Sequence, residues 1–183
     1  MTRSRPRPTF PPPPPSVPAP PSVWLSIDPG GTKATAIAMW SRSQCVSVRQ
    51  IASADLADRL RSSLEVAGLV VLEDGFAGRA NPQATAQLSE TRGAVCALAS
   101  VRGVPVVRVL PDRWRRVLGL PSRRAKGAPT LASDAARLCR MLAGAPDDAT
   151  NEDTRAAYLI GEACVRAWGW DRALGRMEAA DAR

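Results

Sequence analysis

The sequence predicts an α/β fold built on a mixed sheet, and three observations carry that prediction. Three short apolar runs follow one another on tight turns near the start of the folded part. Further apolar runs then alternate with stretches of helical periodicity, the pattern left by crossovers between parallel strands. The last third is helical in pattern alone. The first half of the sheet is therefore expected to be antiparallel and the remainder parallel.

The elements follow in order. Residues 1–22 are basic and rich in proline, with Arg3, Arg5, Arg7 and an unbroken run from Pro11 to Pro15. Such a segment favours polyproline II and cannot build a core, so it is expected to be a disordered arm. Val23 to Asp28 and Ala34 to Trp40 read as strands joined by a Pro-Gly-Gly turn, and Gln44 to Gln50 as a third. Leu56, Leu60 and Leu64 recur every four residues and mark a helix that stops near Gly68. Leu69 to Leu72 is a short strand buried on both faces. Pro82 to Val101 is helical, with Ala84, Leu88, Val95 and Leu98 as its inner stripe. Val104 to Leu110 is a strand, and Asp112 to Leu118 a short helix. Pro121 to Pro129 is a basic loop between that helix and the next, Leu131 to Leu142. A final helix runs from about Asn151 to Trp168. The domain is expected to span 23–172, followed by a tail over 173–183.

Composition narrows the chemistry. The chain has 183 residues, enough for one domain, and a net charge of +8. Such an excess of cations points to a polyanionic partner, and nucleic acid is the economical choice. No apolar run is long enough to span a bilayer, and prolines fill the place where a signal peptide needs its apolar segment. A cytoplasmic setting without membrane contact is expected. There is no histidine, which excludes Ser-His-Asp, Cys-His and histidine-based nuclease chemistry. Cys45, Cys96, Cys139 and Cys164 are far apart and form no Cys-x-x-Cys pair, so free thiols are expected rather than zinc. Any metal site must use oxygen ligands.

Carboxylates stand where such ligands are needed. Asp28 ends the first strand, on the same face as Ser26 and Trp24. Its alternative role is turn chemistry in Asp-Pro-Gly. Glu73 ends a run that must be buried, where a carboxylate requires a partner or a metal; Asp74 faces the other way. Glu152 and Asp153 open the last helix, where they also suit a cap and the helix dipole. Together these acids can hold divalent ions for phosphodiester hydrolysis. Asp147 and Asp148 read as solvated loop residues. A basic stretch adds Arg113, Arg115, Arg116, Arg123, Arg124 and Lys126 around Trp114. The cations are expected to neutralise phosphates. Trp114 either stacks on an unpaired base or anchors its short helix in the core.

The chain resembles the RuvC-type Holliday-junction resolvases of the RNase H-like superfamily, especially their phage branch. The resemblance rests on Leu25-Ser26-Ile27-Asp28-Pro29-Gly30, Val71-Leu72-Glu73 and Glu90-Thr91-Arg92-Gly93-Ala94. It continues through Leu110-Pro111-Asp112-Arg113-Trp114-Arg115-Arg116-Val117-Leu118-Gly119-Leu120, Lys126 and the stretch from Glu152 to Gly161. It implies an RNase H-like five-stranded mixed sheet flanked by helices, a homodimer, and Mg²⁺-dependent cleavage of branched DNA, with Mn²⁺ as a substitute. Catalytic roles then fall on Asp28 and Glu73, with Glu152 and Asp153 as further metal ligands and Lys126 at a phosphate near the cut. Arg92 would serve helix packing or face DNA. The setting would be a bacterial or phage-infected cytoplasm. The chain departs from the family pattern one turn after Asp153, where Ala156 or Ala157 replaces a second acid.

Three rival readings have their own signals. Asp28-Pro29-Gly30-Gly31-Thr32-Lys33 also looks like the phosphate-cradling hairpin of sugar-kinase or actin-like ATPases, which need two domains. A related RNA-processing nuclease family shares an Asp-x-Gly hairpin. A junction-binding module without catalysis would follow if the C-terminal ligand is lost.

Overall fold

The computed structural model describes residues 10–15, 19–30, 34–75, 82–120, 131–142 and 144–170. Within these, β1 (Trp24–Asp28), β2 (Ala34–Ser41) and β3 (Gln44–Ala52) form an antiparallel meander. A 3₁₀ turn over Ser53–Asp55 leads into α1 (Leu56–Leu64), then β4 (Val70–Glu73), α2 (Pro82–Val101) and β5 (Val106–Val109). Three helices follow: α3 (Pro111–Val117), α4 (Leu131–Met141) and α5 (Glu152–Trp168).

The sheet order is β3-β2-β1-β4-β5, with β4 parallel to both β1 and β5. This is the expected five-stranded mixed sheet flanked by helices. The parallel pairs need long crossovers, and α1 and α2 supply them. Among the described residues no helix is long and apolar enough to cross a membrane.

Strand alternation sorts the core into two layers. Leu25, Ile27, Ile37, Ile51, Val70 and Leu72 pack with Leu56, Leu60, Leu64, Val95 and Ala99. The opposite face carries Trp24, Ala36, Ala38, Trp40 and Val71, packed with Trp114, Cys139, Ala157, Tyr158 and Ile160. So α1 and α2 cover one face, while α3, α4 and α5 cover the other.

The inner stripe of α2 lies slightly round from the expected one. Val95 and Ala99 are buried, while Ala84, Leu88 and Leu98 are only half-buried. Arg92 falls on that stripe at helical spacing between Leu88 and Val95, because the helix end facing β4 meets polar backbone rather than core.

One buried chain of hydrogen bonds sets the height of α5 on the sheet. Trp40 Nε1–H donates to Ser26 Oγ at 2.8 Å, and Ser26 Oγ–H donates to the Ala157 carbonyl at 2.7 Å. Gly161 lets α5 approach, since a Cβ there would overlap the Trp40 indole. Trp40 is itself stacked between Trp24 and Tyr158, at centroid distances of 5.0 and 5.6 Å. Ser26 lies two residues before Asp28 on the same strand face. Ala157 lies about one turn after Asp153. The bond between them therefore brings the N-terminus of α5 to the end of β1.

Candidate carboxylate metal site

Register places the first two acids together. In the parallel pair, Ile27 lies opposite Leu72, so the next rung sets Asp28 beside Glu73. Both project from the sheet face that α5 covers. With α3 and α5 they line a cleft of about 110 Å³, together with Trp114, Arg115, Ala132, Ala135, Glu152, Asp153 and Ala156.

The turn after β1 fixes Asp28. The Gly30 N–H donates to Asp28 Oδ1 at 3.0 Å. Thr35 Oγ1–H donates to the Pro29 carbonyl at 3.2 Å. Gly30 has φ +64°, and a Cβ there would collide with the Ala34 carbonyl, so only glycine suits the position. Burial pushes the Asp28 carboxyl up to about 6 against the pull of the Gly30 N–H, with Asp153 adding to the rise.

Glu73 is held from behind. Arg92 reaches from α2, donating from Nε to the Glu73 carbonyl at 3.2 Å and from Nη2 to the Gly75 carbonyl. It also pairs with Asp74 at 3.7 Å. Arg92 is thus a clamp on the chain leaving β4, and its guanidinium faces protein backbone. Burial first, then the Asp28 charge, push Glu73 up to about 8; Arg115 and Arg92 oppose the rise. The Trp114 indole sits near enough to favour the Glu73 anion. Its Nε1 has no acceptor in bonding geometry among the described residues.

The two acids on α5 differ. Asn151 caps the helix: its side chain accepts from the Thr154 N–H at 2.9 Å, and Thr154 Oγ1 accepts in return from the Asn151 N–H at 3.1 Å. Glu152 is exposed and Asp153 half-buried. Asp153 Oδ2 accepts from Gln50 Nε2 at 2.9 Å, while Gln50 Oε1 accepts from Asn151 Nδ2 at 3.2 Å. Gln50, on β3, therefore ties the cap to the acid. Asp153 also acts on Asp28 more strongly than Glu152 does.

Among the described residues no three acid or thiol side chains gather closely enough to close around one ion. What stands there is a carboxyl pair, Asp28 with Glu73, flanked by Asp153. Its donors are hard carboxylate oxygens, and both acids of the pair hold protons above their ordinary range. A divalent oxygen-seeking cation such as Mg²⁺ suits that donor set, because it replaces those protons and cancels the repulsion. The four cysteines are free and lie outside the cleft.

The basic stretch divides. Trp114 is 1% exposed, which corrects its candidacy as a base-stacking residue: it fills the core beneath α3, as in the alternative reading. Arg115 lies over its ring at 5.1 Å, lines the carboxylate cleft and lowers both Asp28 and Glu73. Its Nε is buried without a partner among the described residues. Arg113 and Arg116 line a neighbouring cleft with Asp74, Gly75, Leu110, Pro111 and Asp112. Arg123, Arg124 and Lys126 lie outside the described residues.

Sequence reasoning missed Gln50 and placed Arg115 with the DNA contacts rather than among the acids. Gln50 left no local signal, because its partner is 103 residues away. For Arg115, the proline that starts α3 was the available clue, since it fixes which residues fall one turn into the helix.

No family model matches the sequence, and no curated protein matches it. Solved structures share the fold, two of RuvC among them. A RuvC from Thermus thermophilus in complex with a Holliday junction substrate is 19% identical, with TM-score 0.62, covering 81% of this chain and 97% of that one. A second Thermus thermophilus RuvC structure is 20% identical, with TM-score 0.54 and coverage of 79% and 95%.

Proposed function

We propose that this chain is a structure-selective endonuclease that cuts Holliday or other branched DNA junctions by metal-dependent phosphodiester hydrolysis. The observation that carries the reading is the meeting of Asp28 and Glu73 on adjacent parallel strands, beneath the acidic N-terminus of α5. The likeness to a fold seen bound to a Holliday junction supports it, as does the net charge of +8. Asp28 and Glu73 would hold the metal, with Asp153 flanking them and Glu152 at the rim. Bound Mg²⁺, two ions in the full form and Mn²⁺ as a substitute, would supply an activated water and stabilise the leaving 3′ oxygen. Arg115 meets the scissile phosphate inside the cleft. Arg113, Arg116, Arg123, Arg124 and Lys126 neutralise neighbouring phosphates, making binding steeply salt-dependent. A homodimer would present two such clefts to the two cut strands of a junction. The bacterial or phage-infected cytoplasm is the setting.

The decisive assay offers labelled four-way, forked and linear DNA with Mg²⁺ or EDTA. Cleavage of the junction in Mg²⁺ alone is expected. Asp28→Asn and Glu73→Gln are expected to abolish cutting and keep binding; variants that cut at the parental rate refute the assignment. A second reading, a junction-binding module without catalysis, is favoured by one feature: Ala156 lines the cleft where a further acid would complete the ligand set. It predicts equal binding in Mg²⁺ and EDTA and no cutting in either.

A further inference from the structure

The far end of α5 carries a feature unrelated to the acids, about 24 Å along the helix from them at 1.5 Å per residue. Trp168 closes α5, and Gly169, at φ +67°, turns the chain so that Trp170 comes back onto the core. The rings of Trp168 and Trp170 are 4.7 Å apart, and Trp170 meets Trp24 edge-on at 5.4 Å. Trp170 is 1% exposed, and its indole N–H has no acceptor among the described residues.

The proline-rich leader lies on this surface. Trp168 Nε1–H donates to the Pro11 carbonyl at 2.8 Å, and the Phe10 ring meets Trp168 edge-on at 5.9 Å. The exposure of the segment repeats every three residues: Pro12 and Pro15 face solvent, while Phe10, Pro11, Pro13 and Pro14 are partly covered. Three is the period of polyproline II, which places two of every three prolines on a docking face. A tryptophan N–H donated to a proline carbonyl, beside further aromatic surface, is how aromatic-lined grooves read such segments.

We propose that Trp168 and Trp170 form a polyproline-binding site and that its occupant is the chain's own Phe10–Pro15, held in cis. The site selects a carbonyl presented by a preformed left-handed helix, so little conformational freedom is lost on docking. A short tether gives the arm an effective concentration in the millimolar range. The arm stays seated only if the free segment binds with a dissociation constant below about 1 mM.

The test uses the full chain and follows the Trp168 indole N–H by NMR. In the parent the resonance is expected to be shifted and protected from exchange, and unmoved by a free peptide of residues 9–16. In the full-length variant Phe10→Ala with Pro13→Gly and Pro14→Gly, protection is lost while the backbone amide spectrum of the domain is kept. The peptide then restores it saturably, with half-saturation below about 1 mM. Protection unchanged in the variant overturns the proposal, as does a variant that ignores several millimolar peptide. Equal uptake by parent and variant shows that the arm does not fill the site. Equal uptake of a peptide with alanine in place of its prolines shows that polyproline geometry is not what is read.

Discussion

Glu73→Gln tests the electrostatic account of the cleft most directly. Without metal, native Glu73 keeps its proton to about 8, whereas the unfolded chain loses it near the ordinary value of 4.5. Between those values the native state binds more protons, so its stability falls as pH rises, by about 1.4 kcal/mol per pH unit for one proton. Glutamine preserves the shape of the protonated acid and does not titrate. It is therefore expected to flatten the stability curve by up to about 4 kcal/mol between roughly pH 5 and pH 8. Urea unfolding in EDTA across that pH range reads the effect from the extrapolated free energy. Saturating Mg²⁺ is expected to cancel the alkaline loss in the parent and leave the variant unchanged. Parallel curves for parent and variant in EDTA would sink the reasoning, because they would mean that Glu73 titrates as an exposed acid.

Three further outcomes are expected. Gln50→Leu frees Asp153 from its amide partner, so Mn²⁺ affinity measured by titration calorimetry drops several-fold while the melting temperature in EDTA stays put; a positioning role fails if both are unmoved. Ser26→Ala leaves the Trp40 indole N–H without its acceptor in the core and takes from the Ala157 carbonyl its bond across to β1, costing about 1–3 kcal/mol in urea unfolding, and weakens metal binding by loosening α5 over Asp28. Gly161→Ala drives a methyl into the Trp40 ring and costs about 1–3 kcal/mol, as overpacking of a filled core does; a neutral result would show that α5 lies further from the sheet.

Local patterning along the chain dictates the order of the elements and the face on which each acid stands. Period-two alternation put Asp28 with Ser26 and Trp24 whatever the strand paired with, and Leu56, Leu60 and Leu64 could only bury themselves as a helix. Proline and glycine placed the turn after Asp28 through backbone sterics alone. These are local properties, legible within a few residues. Tertiary structure decided everything that depends on which strand lies beside which. Only the parallel pairing of β1 with β4 makes neighbours of Asp28 and Glu73, and the packing of α5 on the sheet, with the Ser26–Ala157 bond and the Gln50 amide, brings Asp153 to them. Trp114 went inward and Arg115 came to the acids because α3 packs beneath α5, a contact with no periodic trace. Arg92, Gln50 and Trp168 found partners 19, 103 and 157 residues away. Side chains that meet across such separations leave no mark on their own neighbourhoods, so the clamp on β4, the brace on Asp153 and the seat of the proline arm exist only in the folded chain.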